Sequence, residues 1–279
     1  MRLTQKTFVF LIIFVFSNLL AKEHLFVVSG VITNGGSDDK IEKFVDMIEK
    51  NTGYDLRTMY VNSYERLSHV LRDNPDALGW TCGAPYVEDS EHDGQQLIAV
   101  PLLNNLPTYS SFIITRKDNN KKALVDFKDK IFAYSDLRSN SGYVAPSVIL
   151  KDHGYDIGNF FRVKILAGNH ERSIESVYRG LADVAAIDEY VWLEAIKANP
   201  KYSERLHVIE KSGPFPFTPV VAGADVEKKT IKRVQDFLTK MKENEFEEFK
   251  KDFHMDGFVI KEPSFFEPIK KMLESLKER

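Results

Sequence analysis

The sequence predicts a two-domain α/β fold, and three observations carry that reading. Short β-branched apolar runs alternate with segments of helical periodicity along most of the chain. That alternation is the pattern of strands joined by helical crossovers, and so of a largely parallel sheet. Two proline-containing points, Pro107-Thr108-Tyr109 and Pro214 to Pro219, bracket the middle of the chain, and no Gly/Ser linker separates two halves. At 279 residues the chain is long enough for two ordinary domains. Residues 108–219 then form a domain inserted into an outer one made of 22–107 and 220–279. Two hinge crossovers join them, with a cleft that opens and closes between.

The elements follow in order. His24 to Gly30 is strand-like, and Ser37-Asp38-Asp39 opens a helix with Ile41, Phe44, Val45 and Ile48 on one face, ended by Gly53. Leu56 to Val61 is the next strand, Ser63 caps a helix carrying Leu67, Val70 and Leu71, and Ala77 to Thr81 is again strand-like. In the middle, strands are predicted at Ser110 to Thr115, Lys130 to Tyr134, Arg162 to Leu166, Asp183 to Ile187 and Leu206 to Ile209. Helices are predicted between them at Tyr143 to His153, Glu171 to Gly180 and Glu189 to Ala198. Glu227 to Lys242 and Ser264 to Lys277 carry apolar stripes among charges and read as helices; Glu245 to Lys251 reads as a solvated, charged helix face.

The first residues have a different plan. Arg2 and Lys6 precede the apolar run Phe8 to Phe16, and a small residue, Ala21, closes the segment. This is the layout of a secretory signal peptide over residues 1–21, cleaved after Ala21, the alternative being an uncleaved anchor. The run is short for a membrane span of about 20 residues. No cysteine follows it, so a lipid-anchored start is not indicated, and a periplasmic location is expected. Cys82 is the single cysteine, which excludes an internal disulfide. Without Arg2 and Lys6 the net charge of −3 becomes about −5, which argues against a nucleic-acid partner. A buried anion site needs only a few local donors, so the acidic balance does not exclude one.

Four strand exits concentrate chemistry. In Tyr134-Ser-Asp-Leu-Arg-Ser-Asn-Ser-Gly-Tyr-Val-Ala-Pro146, residues Ser139, Asn140 and Ser141 put three short polar side chains at a helix start, and Gly142 allows close approach to the backbone. Free N–H groups and the dipole make such a terminus an anion site; plain N-capping is the competing reading. In Leu166-Ala-Gly-Asn-His-Glu-Arg-Ser173, His170 stands at a strand-to-helix junction, either as a hydrogen-bond donor to an anion or as a surface loop residue. Asp188 ends a strand at the edge where ligands of open α/β sheets bind, or simply caps the following helix. Gly79-Trp-Thr-Cys-Gly-Ala-Pro-Tyr86 leaves a strand through a tight turn that lets the Tyr86 hydroxyl reach a ligand.

Other chemistries lack their residues. The seven histidines are scattered without a His-x-x-x-His or Cys-x-x-Cys pair, so no metal site is expected. The phosphate loop, the dinucleotide fingerprint and the Gly-x-Ser-x-Gly elbow are absent, so no cofactor is expected. An enzyme would need converging reactive groups, and Cys82 with His170 is the one pair that offers itself. The expectation is a binding protein and not an enzyme.

Taken together, these segments resemble the phosphate/phosphite/phosphonate substrate-binding proteins of ABC transporters, the phosphonate-binding-protein-like group. The resemblance runs from His24 to Phe253. It rests on Gly79 to Val87, Tyr109 to Lys117, Ser139-Asn-Ser-Gly-Tyr-Val-Ala-Pro146, Asn159-Phe-Phe161, Gly168-Asn-His170, Gly180-Leu-Ala-Asp183 and Lys211-Ser-Gly-Pro-Phe-Pro216, in matching order. It implies a type II periplasmic binding protein fold with an oxyanion in the interdomain cleft, held by Ser139, Asn140, Ser141 and His170, with Tyr86 at the matching tyrosine position. Two departures stand out. Asn140 replaces the usual threonine, and Thr218 stands where the family often has an acidic residue, leaving Asp188 as the alternative carboxylate. The implied partners are a small oxyanion (phosphate, phosphite or phosphonate) and an inner-membrane ABC permease, with the chain a monomer. The alternative is a sensory subunit that presents an anion to a membrane-bound kinase or receptor.

Overall fold

The computed structural model describes residues 23–29 and 38–278. Residues 1–21, expected to form a signal peptide, and Gly30 and Ser37 lie outside the described residues. The elements are β1 (His24–Ser29), α1 (Asp38–Thr52), β2 (Leu56–Val61), α2 (Tyr64–Asp73), β3 (Leu78–Trp80), α3 (Gly83–His92), β4 (Gln96–Pro101) and β5 (Thr108–Arg116). Then come β6 (Ile131–Tyr134), a π turn (Asn140–Val144), α4 (Ala145–Asp152), α5 (Ile157–Phe160), β7 (Val163–Leu166), α6 (His170–Tyr178), β8 (Val184–Asp188), α7 (Glu189–Ala198), α8 (Lys201–Arg205) and β9 (Leu206–Pro216). The chain closes with β10 (Val220–Ala222), α9 (Lys228–Thr239), α10 (Glu243–Phe253), β11 (Phe258–Val259) and α11 (Glu267–Lys277).

Two sheets result, in the strand orders β11-β4-β10-β3-β1-β2 and β7-β6-β8-β5-β9. The chain passes from the first lobe to the second between β4 and β5 and returns between β9 and β10. The expectation of largely parallel sheets is corrected. β1 runs parallel to β2 and β3, and β6 to β7 and β8, but β10 is antiparallel to β3 and β4, β11 to β4, and β5 to β8 and β9. Parallel pairing holds where a helix carries the chain back over the sheet. The reversed strands are β5 and β10, each the first strand the chain forms after crossing between lobes, and the short β11.

Periodicity explains each core. In α1, Ile41, Phe44, Val45 and Ile48 repeat at helical spacing and are buried. Phe44 sits among Trp80, Phe249, Phe253 and Phe258, with ring centroids 5.4 to 5.9 Å away. The charged run in α10 is therefore not wholly solvated: Phe249 and Phe253 face the core, and buried Glu245 accepts from Asn51. In the second lobe Phe132 stacks on Phe161 at 4.6 Å, beside Ile113, Leu124 and Phe160. α11 touches both lobes, with Ile269 against Gly83 of α3 and the Lys151 ammonium of α4 donating to the Ser275 carbonyl. No helix among the described residues is long and apolar enough to cross a membrane.

Candidate functional site

The carboxyl ends of β3, β6 and β8 meet where the lobes face each other, and polar groups concentrate there. After β6, Ser139 caps the π turn: its Oγ accepts from Gly142 N–H at 3.0 Å, and its carbonyl accepts from Tyr143 and Val144 at 3.0 Å each. The wide turn is a local departure from α geometry of the kind found at functional sites. Ser111 of β5 braces it by donating to the Ser141 carbonyl at 2.7 Å. Across the cleft, Asn140 N–H points at Cys82 Sγ at 3.4 Å, so the two lobes are in contact at this turn.

Capping alone does not account for this turn. Ser139 caps it, but Asn140 and Ser141 are fully buried, and their Oδ1 and Oγ have no hydrogen-bond partner. Thr81 Oγ1, at the end of β3, is likewise buried without a partner. Ser141 Oγ lies beside the Tyr109 phenol, though without hydrogen-bond geometry. Each unpartnered buried polar atom costs about 1–3 kcal/mol, so folded chains rarely keep several without a use for them.

His170 is the first residue of α6 and is buried, not a surface loop histidine. Its Nδ1 accepts from the Asp188 backbone N–H at 3.2 Å, which puts the ring proton on Nε2. Nε2 faces the hydroxyls of Ser135 and Ser139 at 3.3 Å each. Burial pushes the imidazole pKa down to about 3, so His170 is a neutral donor. Asp188 caps α7, with Oδ1 accepting from Tyr190 N–H at 2.8 Å and Val191 N–H at 3.4 Å. Burial raises its carboxyl to about 7 against those two hydrogen bonds, which lower it. The capping reading of Asp188 is thus realised, and the same residue also holds His170 through its backbone.

These shifts oppose each other. The folded state grips the Asp188 proton, so that group makes stability fall as pH rises from 3.8 to about 7. The folded state sheds the His170 proton, so that group makes stability fall as pH drops from 6.5 to about 3. Between about pH 4 and 6.5 the two slopes, each at most roughly 1.4 kcal/mol per unit, cancel. Relative to the parent protein, Asp188→Asn is expected to gain stability as pH rises through this window, and His170→Gln to lose it. Urea denaturation at several pH values checks both; parallel curves for all three proteins refute the opposed pair.

Residues without a local sequence signature complete the cluster. Tyr109 of β5 accepts from Asn140 Nδ2 at 3.1 Å. Burial first, then the nearby Cys82 and Asp188, push its phenol well above the usual range. Tyr64, the first residue of α2, is buried and raised by burial, then by Cys82 and Asp136. Tyr86 is elsewhere: its ring packs edge-on against Phe266 at 4.7 Å and lines a separate cavity of about 240 Å³ with Ser90 and Lys270. Thr218 is buried on the return crossover, where the Trp80 indole donates to its carbonyl at 3.2 Å and its Oγ1 at 3.3 Å. Burial raises the Cys82 thiol to about 11, which keeps it protonated, and both His170 nitrogens face other groups.

The donors are therefore hydroxyls, an amide, backbone N–H groups and a neutral imidazole. Arg138, next to the turn in sequence, is committed to Glu88 and Asp89. No cluster of His, Cys, Asp or Glu suited to a metal occurs among the described residues.

The two-lobed mixed α/β scaffold is the type II periplasmic binding protein fold. The chain belongs to the family described as ABC transporter, phosphonate, periplasmic substrate-binding protein, whose model matches residues 33–264. It is 31% identical over 91 residues to a probable ABC transporter phosphite binding protein, PhnD1, of Prochlorococcus marinus (strain MIT 9301); the match covers 32% of this chain and 31% of that one. The solved structure of PhnD1 in complex with methylphosphonate is similar with a TM-score of 0.82 at 19% identity, covering 93% of this chain and 100% of that one. A binding protein component of an ABC phosphonate transporter from Pseudomonas aeruginosa also gives 0.82 at 19% identity, over 91% of this chain and 86% of that one. Both likenesses are of fold.

Proposed function

We propose that this protein captures a phosphorus oxyanion (phosphate, phosphite or a phosphonate) between its lobes and delivers it to an ABC permease, without chemical turnover. The observation that carries this is the pair of buried, unpartnered Asn140 Oδ1 and Ser141 Oγ in a helix-start turn, with a third such atom, Thr81 Oγ1, on the residue before the Cys82 that the turn contacts. Rotatable hydroxyls and fixed N–H groups suit an acceptor-rich anion. Ser141 would supply a hydroxyl, the π turn its backbone, and His170 its Nε2 proton. Tyr64 and Tyr109 would close over the ligand, and Asp188, poised near 7, would accept a proton from a protonated oxyanion or share its own. The residues on the inserted segment 108–219 receive the anion first, and those of β3 and α2 cover it as the lobes close.

Four or five charge-assisted hydrogen bonds of about 1.5–3 kcal/mol support roughly micromolar affinity after ordering costs. Ser141→Ala removes one of them and is expected to weaken binding about tenfold without lowering the melting temperature of the free protein, since the hydroxyl has no partner there to lose; unchanged affinity removes Ser141 from the site. The ligand class is tested by melting the protein against phosphate, phosphite, methylphosphonate, aminoethylphosphonate and sulfate. An anion at about 100 times its dissociation constant adds roughly 2.7 kcal/mol, which a melt resolves. A selective rise with one phosphorus anion supports the reading, and a flat panel opposes it.

A further inference from the structure

Immediately before the anion turn, the segment Asp136-Leu137-Arg138 reaches out of the second lobe and into the first. Leu137 is 56% exposed, while the side chains on either side of it face inward. The Arg138 guanidinium meets Asp89 Oδ1 at 2.7 Å and Glu88 Oε2 at 3.1 Å through Nη2, and Glu88 Oε2 again at 3.3 Å through Nε. Nη1 donates to Ser68 Oγ of α2. Asp89 is already supported within its own lobe by Gln95 Nε2 at 3.1 Å and by Ser68. Asp136 reinforces the contact: Oδ2 accepts from the Tyr64 N–H at the start of α2 at 3.2 Å, and Oδ1 accepts from Arg138 N–H at 2.7 Å. Negative charge at a helix start is favourable, and a forked arginine between two carboxylates is the strong form of ion pair.

We propose that Asp136 and Arg138 form an interlobe clasp that holds the closed state and sets the residence time of the bound anion. The clasp is contiguous in sequence with Ser139, so docking the anion turn against β3 and engaging Glu88 and Asp89 are one movement. It also places Tyr64, whose backbone Asp136 holds, over the cluster. Arg138 and Asp136 are positioning residues: they act on closure and do not touch the anion. The clasp relies on the binding reading for its purpose, while its geometry stands apart from it.

The test has two arms. In the first, methylphosphonate and phosphate dissociation are followed by stopped-flow tryptophan fluorescence. Arg138→Met is expected to speed dissociation at least tenfold, with association changed less than about threefold, because mutations at a closed interface act mainly on the off-rate. The free Arg138→Met protein should melt below the parent, because Asp89 keeps a buried charge without its cation, and Glu88→Gln/Asp89→Asn in the same chain should recover part of that loss. Adding Arg138→Met to Glu88→Gln/Asp89→Asn should change nothing further, since the partners act as a unit. An unchanged dissociation rate, or additive effects of the two sets of changes, overturns the clasp. The second arm needs no anion: small-angle scattering of the free protein should show a larger radius of gyration for Arg138→Met than for the parent. If no anion binds the parent protein, the binding reading fails and scattering alone decides, equal radii overturning the clasp.

Discussion

Gly142→Ala is expected to abolish anion binding. A Cβ at this position would lie 2.4 Å from Ser135 Oγ, 3.0 Å from Ser139 Oγ and 3.2 Å from His170 Cε1. Each of these neighbours can move only by giving up a contact of its own. Ser135 and Ser139 face His170 Nε2 at 3.3 Å, and Ser139 Oγ also accepts the Gly142 N–H. One methyl group therefore displaces two hydroxyls and the imidazole together, and overpacking of this kind costs about 1–3 kcal/mol in a packed interior. The requirement at Gly142 is for space beside the turn. A loss of at least about a hundredfold in affinity, or roughly 2.7 kcal/mol, is expected by titration calorimetry. Binding within about threefold of the parent would show that the turn is not the site.

His170→Ala is expected to remove both binding and a measurable part of the fold's stability. The ring joins α6 to β8 through the Asp188 N–H and to the anion turn through Ser135 and Ser139. Truncation leaves that N–H buried without its acceptor and opens a cavity at a fully packed position. The two effects together cost about 3 kcal/mol, which lowers the melting temperature by roughly 6–12 °C for a chain of this size. His170→Gln keeps a donor and an acceptor and should recover part of the stability. If His170→Ala melts with the parent, the histidine does not hold the turn in the way the distances indicate.

The parts of this protein that sequence exposes are those encoded locally. Ser139 to Gly142 follow a strand and open a helix, and His170 and Asp188 end comparable strand exits. The fold brings these three strand exits to one place because β6 pairs in parallel with both β7 and β8. What stayed hidden depends on tertiary assembly. Tyr64 sits one residue after an ordinary Ser63 cap, and Tyr109 lies in a strand beside a crossover; neither position carries a mark of a site. Tyr86 looked suited to a ligand because it follows a Gly/Pro turn, but Gly83-Ala84-Pro85 open a helix, where proline in the first turn loses no hydrogen bond. That helix turns Tyr86 toward Phe266.

Sheet direction was misread for a related reason. β10 has three residues and β11 two, too few to show a period of their own. Both are antiparallel members of the first sheet. The polar contacts of Arg138 were equally invisible, since Glu88 and Asp89 lie some fifty residues upstream on a helix of the other lobe. Charged residues in a sequence carry no record of their partners.

The most direct test of oxyanion capture is a crystal structure grown with the phosphorus anion that most raises the melting temperature. The anion is expected between the π turn and His170, with its oxygens within hydrogen-bond distance of Ser141 Oγ, the turn's backbone and His170 Nε2, and with no lysine or arginine neutralising it. An anion bound at another surface, or held by a cationic side chain with the Ser139 to Gly142 turn untouched, would contradict capture by neutral donors at this turn.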